Sequence, residues 1–127
     1  MNAAELPDIL LLAYLGDAAM ELIVRKYLIS IPGMTPQKCN ERSLSFVTAV
    51  KQAEAARRLN DKFTEDEAQI FKYGKNAKSN SVPRSASLYT YRTATGLEAV
   101  FGYNHINGLD SRNEELFTLG FPENDGQ

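Results

Sequence analysis

Between Leu10 and Arg25 the chain runs almost unbroken through leucine, alanine, methionine, isoleucine and valine. These residue types favour helix, and this longest apolar run is the expected centre of the fold. Pro7-Asp8 opens the helix, and it runs to about Ile29, where the Ser30 to Pro36 segment breaks it. Leu44, Val47, Val50 and Ala53 then recur at three-residue steps, predicting a second helix from Gln37 or Asn40 to about Asn60. Thr64 and Glu67 form a capping box ahead of a third helix carrying Ala68, Ile70 and Phe71. After a polar loop, Ser79 to Ser85, a fourth helix begins near Ser87 and follows Leu88, Tyr91, Ala94, Val100, Phe101 and Ile106 to a stop at Gly108. A last short helix, capped by Asp110 or Ser111, ends at Leu119-Gly120. Tyr89 to Thr93 has β-favouring types but lies inside the longer helical period, so no strand is expected. The pattern predicts an all-α chain of about five helices, one domain over residues 1–121 and a flexible tail over 122–127.

Two acids interrupt this apolar pattern. Gly16-Asp17 sits in the middle of the first helix, where Gly costs about 1 kcal/mol against Ala and a buried, unpaired carboxylate costs several kcal/mol more. Glu21 follows one turn later on the same helix face. Glu98 repeats the situation in the fourth helix, with Gly96 close by. Small residues let two such helices cross closely, and the crossing would set Asp17 beside Glu98. Like charges at that range bind a cation or share a proton. A hard divalent ion such as Mg²⁺ suits them, since it accepts one or two carboxylates and keeps its waters for phosphate ligands. The alternative is that Arg25, Arg92 or a helix end satisfies each acid separately.

Charge narrows the function classes. The net charge of −2 and pI near 5.4 argue against coating nucleic acid by bulk positive charge. Yet no acid stands between Glu67 and Glu98, and that window holds Lys72, Lys75, Lys78, Arg84 and Arg92 with Asn76, Ser79 and Asn80. Such groups suit phosphate contacts; a solvated positive face is the plainer reading. The three lysines are expected on one helix face. A single cysteine, Cys39, excludes an internal disulfide and points to a reducing compartment, the cytoplasm by default. The one histidine, His105, leaves histidine-based metal or nucleophile sites without partners and reads as a rim or core residue. Tyr14 and Tyr91, on the acid-bearing helices, read as packing residues. Asp17 and Glu21 interrupt the apolar run too soon for a membrane span.

Four collinear blocks carry a family resemblance: Leu12 to Glu21, Phe46 to Ala53, Gly74 to Ser79, and Tyr91 to Tyr103. Together they resemble the ribonuclease III family in its Mini-ribonuclease III form. The resemblance implies a helical bundle of about five to seven helices that dimerises about a two-fold axis. Each subunit would supply one Mg²⁺-dependent site, with Mn²⁺ as a substitute, and the two sites would cut the strands of double-stranded RNA to leave 5′-phosphates. It implies an endoribonuclease acting in ribosomal RNA maturation, trimming the ends of the 23S precursor, with a ribosomal protein on that RNA as a candidate partner. Full-length relatives add a double-stranded-RNA-binding domain for which this chain leaves no residues. By the same resemblance Asp17 and Glu98 are the catalytic, metal-binding carboxylates and Glu21 holds a water in their outer shell. Lys75, Asn76 and Lys78 would contact the RNA backbone, and Lys72 and Arg84 of the basic window are expected to join them. Leu10, Ala13 and Thr95 stand where full-length relatives carry further acids, Tyr73 where the Mini form has Arg, and Asn40-Glu41 where it has His-Lys. The alternative function is a non-catalytic RNA-binding or ribosome-associated module that keeps the fold.

Overall fold

The structure is a computed structural model describing residues 6–78 and 87–122. Its regular structure is α1 (Ile9–Ile29), α2 (Pro36–Val47), α3 (Ala49–Leu59), α4 (Glu65–Asn76), α5 (Leu88–Ile106) and α6 (Asp110–Gly120). No strand occurs among the described residues. The predicted second helix is therefore two. Thr48 adopts extended backbone (φ −72°, ψ 153°) and its Oγ1 accepts from the Lys51 amide at 3.3 Å, so it ends α2 and caps α3. A threonine cap competes with helix propagation, and apolar residues at three-residue steps do not register a one-residue change of direction.

The central helix is α5, not the more apolar α1. From Thr93 to Leu97 and from Ala99 to Gly102 every α5 residue is buried, and α1, α3, α4 and α6 all pack on it. A helix surrounded on all sides has no apolar face to stand out in the sequence. Its Thr93 and Thr95 hydroxyls turn back to the Tyr89 and Tyr91 carbonyls at 2.8 and 3.0 Å, so neither needs a partner from another helix.

Close approach explains the glycines. A Cβ on Gly16 would lie 1.6 Å from the Glu98 carbonyl oxygen, and one on Gly102 would lie 1.9 Å from that of Leu12. The α1–α5 crossing thus pairs Gly16 with Gly102. Gly96, the expected partner of Gly16, faces the other way, onto Phe71 and Gly74 of α4. Glycine pairs on opposite sides of α5 let two helices pack backbone against backbone.

Beyond the crossing, Tyr27, Phe46, Phe117 and Phe121 form an aromatic cluster with ring centroids 5.2 to 6.3 Å apart. The capping box at Thr64 is present as predicted, and its Glu67 does more than cap. Arg112 of α6 donates to both Glu67 oxygens at 2.8 and 2.9 Å, and Asn104 of α5 donates at 2.9 Å, tying three helices together. No side chain caps α6: its N-cap is Leu109, and Asp110 instead meets the exposed His105 ring at 2.6 Å. Residues 123–127 of the expected tail lie outside the described residues. No helix among the described residues is long and apolar enough to cross a membrane.

Candidate active site

Gly16 and Asp17 are consecutive, so the contact that Gly16 permits brings Asp17 against α5 at Glu98. The two carboxyl groups stand close enough for each to act on the other. Burial, then the charge and hydrogen bond of Asp17, push the Glu98 carboxyl up to about 8, against a lowering by the side-chain amide of Gln52. At neutral pH the pair therefore holds one proton, in the manner of crowded carboxylates elsewhere.

Burial is divided differently from the expectation. Asp17 is exposed, and Glu98 carries the desolvation. The reason is the geometry of α1, whose buried stripe is Leu12, Ala13, Gly16, Met20, Val24 and Leu28. Asp17 lies at the edge of that stripe. The opposite side of the helix is apolar but uncovered, with Leu11, Tyr14, Leu22 and Ile29 all exposed. Tyr14, expected to pack, is 81% exposed.

Glu21 does not join the pair. Its carboxylate accepts from the Arg25 guanidinium at 2.8 Å on the surface, and both residues line a cavity of about 580 Å³ between α1 and α2, together with Cys39 and Asn40. Gln52 does join it, from α3, and sequence reasoning passed over it. The available signal was a long polar side chain on the helix face that otherwise carries Ala53, Ala55, Ala56 and Leu59.

The basic residues separate along the chain. Lys72, Asn76 and Lys78 are exposed. Lys75 is partly covered, its Nζ 5.9 Å from the Phe71 ring centre and 5.4 Å from that of Tyr89, which leaves it a cation held between two rings. Because α4 ends at Asn76, Lys78 lies beyond the helix rather than on a shared face with Lys72 and Lys75. Arg84 lies outside the described residues. Tyr73 accepts from Gln69 at 2.6 Å and is half exposed.

Residues 10–108 match the family model described as the ribonuclease III domain. The chain belongs to the ribonuclease III family. It is 40% identical over 111 residues to a Mini-ribonuclease 3 from Clostridium tetani, covering 87% of this chain and 74% of that one. It is 38% identical to the Mini-ribonuclease 3 of Enterococcus faecalis, covering 84% and 83%. Its fold superimposes on the crystal structure of a Fusobacterium nucleatum protein with a TM-score of 0.84 at 27% identity, covering 97% of this chain and 98% of that one. As a member of this family the chain is an endoribonuclease.

In this ribonuclease III domain the positions read against additional acids hold Leu10, Ala13 and Thr95, of which Ala13 and Thr95 are buried. Among the described residues no cluster of three or more histidine, cysteine, aspartate or glutamate side chains is placed to hold a metal. The donor set at the crossing is thus two carboxylates, hard oxygen ligands without nitrogen or sulfur. That set fits Mg²⁺ or Mn²⁺, which take few protein carboxylates and complete their shells with water and phosphate oxygens. It does not fit the closed nitrogen and sulfur cages of structural zinc.

Proposed function

We propose that this endoribonuclease cleaves double-stranded RNA as a divalent-metal-dependent homodimer, and that its substrate is the 23S ribosomal RNA precursor. The observation that carries the reading is the Asp17–Glu98 contact, in which two acids are held close enough to keep a proton at neutral pH. Asp17 and Glu98 would hold Mg²⁺, with Mn²⁺ as a substitute. When bound, the cation supplies Lewis-acid activation of water and of the scissile phosphate.

The chain's own residues do the rest. Gly16 and Gly102 fix the spacing of the two acids by fixing the helices that bear them. Lys72, Lys75, Asn76 and Lys78 are the groups offered to the RNA backbone, with Arg84 following in sequence. A duplex bound this way is read by A-form shape and 2′-hydroxyls rather than by base sequence. The exposed stripe of Leu11, Tyr14, Leu22 and Ile29 beside Asp17 supports a two-fold partner on α1. A ribosomal protein on the precursor remains the candidate accessory partner.

The experiment is cleavage of a labelled precursor duplex and of a matched single strand, with Mg²⁺ and with chelator. Asp17→Asn and Glu98→Gln should each abolish metal-dependent duplex cleavage while leaving helix content and oligomeric state unchanged. Wild-type rates in either variant, or equal cutting of both RNAs, would overturn the proposal.

A further inference from the structure

Helices α3 and α4 both pack on α5, but among the described residues they do not pack on each other. The gap between them, over the first turns of α5, is a cavity of about 380 Å³. The end of α3 supplies one wall, with Ala56, Arg57 and the C-cap Asn60. Phe71 and Lys75 of α4 supply the other, and Tyr89 and Thr93 of α5 lie between them. The volume falls in the range of about 300–1,000 Å³ typical of ligand pockets.

The charge of this cavity is one-sided. Its lining holds two cations, Arg57 and Lys75, and no acid. Elsewhere Arg25, Lys26, Lys51, Lys62 and Arg112 each meet a carboxylate at 2.6 to 3.7 Å. Among the described residues Arg57 and Lys75 form no such pair. Cations near helix C-termini complement the helix dipole, which accounts for their places in the sequence but not for their convergence from two helices on one cavity. Two like charges held in one concave site call for an anion. The rings add a second requirement. Phe71 is packed against Phe63, with centroids 5.3 Å apart, whereas Tyr89 is 55% exposed and keeps ring surface open to a planar partner.

We propose that this cavity takes one unpaired nucleotide of an RNA strand, its phosphate between Arg57 and Lys75 and its base stacked on Tyr89. This rests on the reading of the chain as an RNA-binding enzyme and adds to it a site for single-stranded RNA. A duplex offers its phosphates on an open surface, and its bases are already stacked, so it would use neither the cavity nor the ring. An unpaired nucleotide brings a phosphate and a free π-face together. The Asn60 amide, which both donates and accepts, is suited to a base edge or a 2′-hydroxyl at the rim.

The test is binding by fluorescence anisotropy, in chelator, of a short single-stranded oligoribonucleotide, its abasic counterpart and a blunt duplex, with melting temperature measured alongside. Wild type should bind the oligonucleotide at least about fivefold more tightly than the abasic strand. Tyr89→Leu should remove that difference and Tyr89→Phe should keep it, with both melting near wild type. Arg57→Gln should weaken both single strands and lower the slope of log affinity against log salt by about 0.7. Equal binding of the two single strands by wild type, a base preference that survives Tyr89→Leu, or a wild-type salt slope in Arg57→Gln would overturn the pocket. If the duplex binds in those cases, the RNA reading stands without it. If no RNA binds, the RNA reading fails and the pocket fails with it.

Discussion

An alanine at position 16 would place its Cβ 1.6 Å from the Glu98 carbonyl oxygen, 2.6 Å from the carbonyl carbon and 2.8 Å from the Gly102 nitrogen. All three are backbone atoms of α5, so no side chain can rotate away. Ordinary contact begins near 3.4 Å, which means α1 and α5 must separate by nearly 2 Å at their crossing. Overpacking relieved by side-chain shifts costs about 1–3 kcal/mol, and relief by helix displacement lies at or above the upper end. Against this, Ala returns about 1 kcal/mol of helix propensity. Gly16→Ala is therefore expected to lose about 2 kcal/mol or more, a fall in melting temperature of about 8 °C for a chain of this size. The same displacement moves Asp17 away from Glu98, and a misplacement of about 1 Å at reacting groups can cost about a hundredfold in rate. Circular-dichroism melting and duplex cleavage, run on one preparation, check both. A Gly16→Ala protein that melts at or above wild type would refute the backbone contact. One that melts low but cleaves at the wild-type rate would refute the link between the crossing and the site.

Two further predictions concern the other acids. The folded Glu98 carboxyl, at about 8, lies above its unfolded value of 4.5, so the native state binds more protons between those values and its stability falls as pH rises through them. Glu98→Gln in chelator should thus gain on wild type from pH 5 to pH 9, with a ceiling of about 5 kcal/mol by linkage; parallel pH–stability curves from denaturant titrations would disprove it. Burial pushes Glu67 up, but the hydrogen bonds of Arg112, the Thr64 amide and Asn104 outweigh it and hold the carboxyl below its usual range. That stability is present above the unfolded value and is lost as pH falls through the folded one. Arg112→Met should cost about 3 kcal/mol at neutral pH, measured by guanidinium unfolding, and should flatten the acid limb of the stability curve.

The helices at Ile9, Glu65 and Leu88 were legible because their caps are local: Asp8, Thr64 and Ser87 each accept from a nearby amide. The division of the second helix was not, since Thr48 supports either continuation or a cap and only the tertiary direction of α3 decides. The centrality of α5 was hidden for a related reason. Its threonines, glycines and alanines have modest hydropathy, and what marks it as central is how many helices need to approach it closely. The pairing of glycines could not be assigned either. Gly16, Gly74, Gly96 and Gly102 each signal close approach, but the sequence does not say which faces which, and Gly96, the α5 glycine nearer Glu98 along the chain, faces α4.

The acid pair itself was legible from the cost of placing a carboxylate in an apolar helix, although of the two acids expected to be buried only Glu98 is desolvated and Asp17 is exposed. The distinction matters chemically. Asp17 stands on the exposed edge of α1, open to solvent and to anything that approaches the uncovered Leu11–Tyr14 side. Glu98 stands behind it, half-buried, with burial as the main influence on its carboxyl. A pair made of two exposed acids would simply repel and turn apart, and a pair of two buried acids would destabilise the core at every pH above neutrality. With one of each, the fold fixes the inner acid while the outer one remains accessible.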